Sequence, residues 1–388
     1  MTAPPGPAVD RWEPWRVWFA QNFFTTLQGM GAPVWFRELL RNRFRIEGRY
    51  AARAALITVS SPVNSLYAAA DDRKFGRAIA RTPIEPPIVV LGHWRSGTTL
   101  LQRLFALDER FSYPTFYQCL FPRGFLHSQE RNSKAWAGFL PRTRVFDNME
   151  NGFDSPAEDE FALCSLTGLS PCMGWCFPRR WEYYDRYLTF RDATERERAR
   201  WKQAARFFVK KIQFHTGRRV VLKSPQHTCR IRLLREAFPG ARFVHIHRDP
   251  FVVFPSTKRM LTTFLRSTQL QSYDPETLDE RILRTYREMY DVHFEERASL
   301  GPGEICEIGY EDLEADPVGE MERLYAELGL PDFGRVRPRV EEHVRGWGGY
   351  RKNRFRELPE TIRERIRREW GATIEAWGCQ DSARRRGP

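Results

Sequence analysis

Gly92-His93-Trp94-Arg95-Ser96-Gly97-Thr98-Thr99 gathers a guanidinium and several hydroxyls into eight residues. The two glycines have the spacing of a P-loop, in which backbone N–H groups and the start of the next helix hold an anion. Such a loop normally carries lysine after its second glycine, to reach a γ-phosphate. Here Thr98 takes that place, and the cation is Arg95, inside the loop. A plain glycine turn between strand and helix would account for Gly97, but not for Arg95-Ser96 together with Thr98-Thr99. A second cluster is His245-Ile246-His247-Arg248-Asp249-Pro250, with Ser256 eight residues after Arg248. An arginine at a strand end and a serine two turns into the next helix can grip one phosphate from two sides. Asp249 between them reads as a helix cap.

These residues need a scaffold, and the surrounding pattern supplies one. Ile88-Val89-Val90-Leu91 is a β-branched run, apolar on both faces, that reads as a buried strand before the loop. Helical spacing follows it over 99–107. Further strands are expected at 220–222, 243–246 and 304–309, with helices after the second (Ile231, Leu234, Phe238), after Asp249-Pro250, and over 318–328. Strand and helix in alternation predict a parallel sheet covered on both faces, with ligands at the carboxyl ends of its strands. Thr82-Pro83-Ile84-Glu85-Pro86-Pro87 separates a helical N-terminal region, 1–86, from the main domain, 87–388. Within it, 111–216 is aromatic-rich and reads as a mostly helical insertion over an acceptor site. A last helix is expected over 359–377.

The formal charge of +13 invites a nucleic-acid reading, but 54 of the 62 basic residues are arginines spread along the chain, often beside acids. With no reading module in the sequence, no nucleic-acid partner is expected. The balance suits an anionic co-substrate, an acidic acceptor or a membrane surface. Seven scattered cysteines give no disulfide framework and no zinc pattern, and Asp10, Arg11 and Glu13 precede any apolar run, unlike a signal peptide. The expectation is a cytoplasmic protein, with peripheral membrane contact left open. That option rests on residues 12–36, where Trp15, Trp18, Phe19, Phe23, Phe24 and Trp35 accompany Arg16. Such a segment docks on anionic lipid or packs as an arm on its own domain or a second subunit, and packing is the reading preferred. The oligomeric state is open.

The R-S-G-T-T loop and the Arg248–Ser256 pair resemble the signatures of the sulfotransferase superfamily that uses 3′-phosphoadenosine-5′-phosphosulfate (PAPS). Leu222-Lys223-Ser224-Pro225-Gln226-His227 is similar to the L-K-S-P-x-H element of its broad bacterial group. The resemblance spans 87–317. It implies an α/β fold with a P-loop-like parallel sheet flanked by helices. It also implies that Arg95, Ser96, Gly97, Thr98 and Thr99 hold the 5′-phosphosulfate, and Arg248 and Ser256 the 3′-phosphate. In Tyr310-Glu311-Asp312-Leu313, followed by Pro317, the tyrosine would lie against the adenine. Gly349-Tyr350-Arg351-Lys352 stands either for the family's late basic segment or for a solvated turn. A terminal sulfonate carries less charge than a γ-phosphate, so one cation and a set of donors suffice, and no metal is expected.

Sulfonyl transfer needs a cation on the departing oxygen and a base for the acceptor's proton. Lys223, at a strand end beside the loop, is the candidate cation, and the resemblance implies a lysine there. His227 and Glu160 compete as base, with Glu158 behind them. The acceptor is a small molecule, carbohydrate or lipid bearing a hydroxyl or amine. Two rival readings remain: a P-loop kinase or NTPase, which the missing lysine disfavours, and a non-catalytic basic binding protein.

Overall fold

The computed structural model describes residues 12–22, 25–141, 152–349 and 357–379. Three helices come first, α1 (Glu13–Asn22), α2 (Ala32–Arg41) and α3 (Ala51–Arg81). Strand β1 (Ile88–Leu91), helix α4 (Thr98–Ala106) and the short β2 (Phe111–Ser112) follow. Among the described residues, six helices fill the interval before the next strand: α5 (Phe116–Leu120), α6 (Phe125–Trp136), α7 (Asp159–Thr167), α8 (Cys172–Cys176), α9 (Trp181–Thr189) and α10 (Glu195–Thr216). Then come β3 (Arg219–Lys223), α11 (Ile231–Ala237), β4 (Arg242–His247), α12 (Pro250–Thr268), α13 (Leu278–Arg297) and β5 (Ile305–Gly309). The chain closes with α14 (Tyr310–Ala315), α15 (Pro317–Glu327), α16 (Arg337–Arg345), α17 (Glu360–Glu369) and α18 (Gly371–Ala376).

The five strands form one sheet in the order β2-β3-β1-β4-β5, and every pairing is parallel. β1 lies at the centre, with Val90 opposite Lys223 of β3 and Leu91 opposite His245 of β4. That register brings the loops after β1, β3, β4 and β5 to one edge of the sheet. Both faces are covered. Val89, Leu91, Val220 and Leu222 pack with Val209 and Ile212 of α10, Phe254 of α12 and Leu283 of α13. Ile88, Val90, Val221 and Val244 pack with Leu101 and Leu104 of α4 and Leu324 of α15. Each such side chain contributes about 1.5–3 kcal/mol by leaving water.

Local signals explain where the flanking helices begin. Thr194 accepts a hydrogen bond from the Glu197 N–H, and Glu197 reaches back to Thr194, so a capping box opens α10. Asp249 accepts from the Phe251 N–H with Pro250 in the first turn, which opens α12.

Three features differ from expectation. β2 has two residues, too few for any alternation. The last helix divides at Trp370, whose ring stacks on Tyr286 with centroids 3.7 Å apart and whose Nε1 donates to the Leu283 carbonyl. Holding that ring in the core takes precedence over continuing the helix, and Gly371 follows. The aromatic residues of 175–190 serve largely as core: Trp175, Phe177, Trp181, Tyr184, Tyr187 and Phe190 are all buried.

The N-terminal helices share this core. Trp35, Leu39 and Ile57 belong to the cluster under the sheet, and a fully buried Lys211–Asp71 pair at 2.8 Å ties α10 to α3. Among the described residues, no helix is long and apolar enough to cross a membrane.

Candidate active site

The loop from β1 to α4 turns on three residues with positive φ: Gly92, Arg95 and Gly97. A Cβ on Gly92 would run into the Ile246 carbonyl, and one on Gly97 into the Tyr310 ring. Arg95 has φ 73°, a left-handed conformation that costs energy outside glycine and is typical of ligand-holding loops. The segment after β3 and the loop's own residues brace it. Gly92 N–H donates to Thr228 Oγ1 at 2.7 Å, and Ser96 Oγ donates to the His93 carbonyl at 2.8 Å. Thr98 and Thr99 open α4, so its N-terminal N–H groups face the same concavity.

The residues marked after β4 and β5 converge on this loop. Arg95 Nε donates to Ser256 Oγ at 2.9 Å, and Arg248 Nη1 donates to the Arg95 carbonyl at 3.3 Å. The Arg248 guanidinium lies 3.9 Å from the Tyr310 ring centroid, in cation–π contact. Two arginines, a serine and a tyrosine, from the segments after β1, β4 and β5, thus meet at one sheet edge. Arg248 Nε is buried without a hydrogen-bond partner, a donor that a bound anion would satisfy. Residues 350–352 of the late basic segment lie outside the described residues.

Lys223 ends β3 directly beside β1 and is buried. Its Nζ donates to Glu158 Oε1 at 3.0 Å, and its backbone N–H to Asp159 Oδ1 at 3.1 Å. The helix expected to begin near Pro156 begins instead at Asp159, with Glu158 at the N-cap. Residues 158, 159 and 160 therefore point three ways, since successive helical positions turn by about 100°. Glu158 meets Lys223 and keeps 20% of its side chain exposed.

Asp159 is buried between His227 Nε2 at 2.6 Å and the Ser224 hydroxyl at 3.1 Å. Burial raises its carboxyl, but the His227 charge and the hydrogen bonds from His227 and Ser224 outweigh that and hold it below its ordinary value. Glu160 is wholly buried, in a two-pronged pair with Arg230 at 2.6 and 3.2 Å and with the Ser170 hydroxyl at 2.6 Å. The two residues favoured as base, His227 and Glu160, thus sit fully buried, one against Asp159 and the other against Arg230 and Ser170. The third, Glu158, stands at the cation. Its signal in the sequence was only its place at the edge of an acidic run.

A further polar group lies behind β4. His245 Nδ1 donates to Glu307 at 3.2 Å, His293 Nε2 is 4.0 Å from the same carboxylate, and Arg297 pairs with it as well. Three potential metal ligands thus lie within 4.8 Å, but the Arg297 guanidinium already supplies the positive charge. His293 Nδ1 is also 3.2 Å from the Thr228 carbonyl, so the group buttresses the residue that holds Gly92.

Residues 86–334 match the model of a family described as the sulfotransferase family. The chain belongs to the sulfotransferase family. Relatives named omega-hydroxy-beta-dihydromenaquinone-9 sulfotransferase Stf3, from Mycobacterium bovis and Mycobacterium tuberculosis, are 36% identical over 374 residues, covering 95% of this chain and 93% of theirs. Among solved structures, sulfotransferase STF9 from Mycobacterium avium superposes with TM-score 0.64 at 18% identity, covering 91% of this chain and 97% of that one. Sulfotransferase STF1 from Mycobacterium tuberculosis gives 0.60 at 17%, covering 93% and 98%. These two likenesses carry the fold, a P-loop-like parallel sheet flanked by helices. The family assignment makes the chain a sulfonate-transferring enzyme.

Proposed function

We propose that this sulfotransferase moves the sulfonate of PAPS to a hydroxyl of a lipid acceptor at the edge formed by the loops after β1, β3, β4 and β5. The observation that carries the reading is the meeting of Arg95, Arg248, Ser256 and Tyr310 beside the Lys223–Glu158 pair. In the proposed roles, Ser96, Gly97, Thr98 and Thr99 present N–H groups and hydroxyls to the phosphosulfate. Arg95 adds charge there, and Arg248 with Ser256 takes the 3′-phosphate. Tyr310 stacks on the adenine. Lys223 neutralises the phosphate oxygen that departs as the new S–O bond forms. Glu158 takes the acceptor's proton, because it alone of the three candidate bases is both partly exposed and in contact with the cation.

A lipid acceptor is preferred to a carbohydrate because the Stf3 relatives are named for a menaquinone derivative and align along most of both chains. The test is incubation with sulfur-labelled PAPS and, separately, hydroxylated isoprenoid quinols and simple saccharides. Label in the quinol fraction supports the lipid reading. Label only in saccharides would overturn the acceptor class and leave the donor site standing.

A further inference from the structure

Over its first two-thirds, helix α3 lacks the charged outer face that a surface helix ordinarily shows. Its stretch 54–70 contains no charged residue. Ala54, Ile57, Ser61 and Ala68 face the core, while Leu56, Val59, Val63 and Leu66 face outward at helical spacing. Val59 and Leu66 are 72% and 70% exposed, a level that rules out burial by the rest of the described fold. From Leu56 to Leu66 the stripe runs about 15 Å.

The neighbouring helices extend this apolar surface. Trp35 Nε1 donates to Thr58 Oγ1 at 2.9 Å and the Ala32 N–H to Ser65 Oγ at 3.0 Å, so α2 lies along α3. From there α2 exposes Phe36 and Leu40, one turn apart. Arg53 at the start of α3 donates to the Asn22 carbonyl that ends α1, and Trp15 and Trp18 of α1 are exposed, as is Trp12 just before it. Phe44 projects from the turn after α2, in a left-handed conformation.

We propose that α1, α2 and α3 together form a surface that docks on an anionic lipid bilayer. Tryptophans at the edge of an apolar face match the headgroup level, where that ring is both apolar and polar. Charge points the same way. Residues 12–70 carry seven arginines against three glutamates, and with the buried Arg53 left out the surface has a net +3. All three glutamates are already paired: Glu13 with Arg16, Glu38 with Arg37 and Arg41, and Glu47 with Arg49 and Arg179. A bilayer containing acidic lipid complements such a surface, at about 1 kcal/mol per arginine near the headgroups. A second copy of the chain in a two-fold contact would set one positive face against another. The inference goes beyond the acceptor reading, because docking requires neither donor nor acceptor.

The test is co-sedimentation with vesicles of phosphatidylcholine alone or mixed with phosphatidylglycerol, alongside light scattering in solution. The parent is expected to pellet with the acidic vesicles and release at high salt. Val59→Glu with Leu66→Glu should weaken binding roughly tenfold or more. Trp12→Ala with Trp18→Ala should do the same, and it supplies the answer if the glutamate pair does not fold. A parent that stays in the supernatant with both vesicle types would overturn the proposal, as would folded variants that bind like the parent. A dimer in solution that the glutamate pair splits would assign the face to a second copy instead.

Discussion

Glu158 and Glu160 are two residues apart, yet burial divides their roles. Glu158 touches Lys223 from the helix N-cap, whereas Glu160 is locked against Arg230 and Ser170. Glu158→Gln should reduce turnover by about 100-fold or more, the scale of a lost general base, and cost less stability than the change at Glu160, because Glu158 keeps 20% of its side chain exposed. Glu160→Gln should leave the Arg230 charge buried and cost about 3–5 kcal/mol of stability. Denaturant midpoints and initial rates on both variants separate the roles. Full stability in Glu160→Gln combined with lost activity would return that residue to the chemistry. The sequence reading places Glu158 behind Glu160, an order that depends on where α7 begins. Pro156 suggested a start three residues too early.

At the scale of elements, the four longer strands and the loop were readable because each departs from its surroundings in composition. The run 88–91 is β-branched and apolar on both faces, and the glycines that follow it have steric reasons to be there. Gly97 is the sharpest case, with φ 106° and the Tyr310 ring where a Cβ would sit. Gly97→Ala should therefore displace the loop from α14 and weaken nucleotide binding at least tenfold, readable by titration, with the far-ultraviolet spectrum unchanged. Unchanged affinity would mean that the loop adapts without loss. Other elements left no such trace. The break at Trp370 depends on a pocket made by α13, and the outward stripe of α3 shows the same apolar spacing as a core-facing one. Periodicity reports that a face is apolar, not what covers it.

For the whole molecule, protonation sets an acid limit on stability. His93 in the loop and His245 on β4 are both fully buried and pushed down to about 3, chiefly by burial. An unfolded histidine titrates near 6.5, so between these values the unfolded chain binds more protons than the native one. Stability therefore falls as pH drops below about 6.5, by up to about 1.4 kcal/mol per pH unit for each histidine. Urea midpoints should decline from pH 7 to pH 5, and His93→Gln should flatten part of that slope. A midpoint independent of pH over this range would contradict the assignment.

We propose that Arg248, stacked on Tyr310 and reaching the Arg95 loop, belongs to a phosphoadenosine site. Calorimetric titration with 3′-phosphoadenosine-5′-phosphate, on the parent and on Arg248→Ala, tests it most directly. Charge-assisted hydrogen bonds contribute about 1.5–3 kcal/mol each, so the variant should bind at least tenfold more weakly than a tightly binding parent. A parent that ignores this nucleotide, or a folded variant that binds it equally well, would contradict the account.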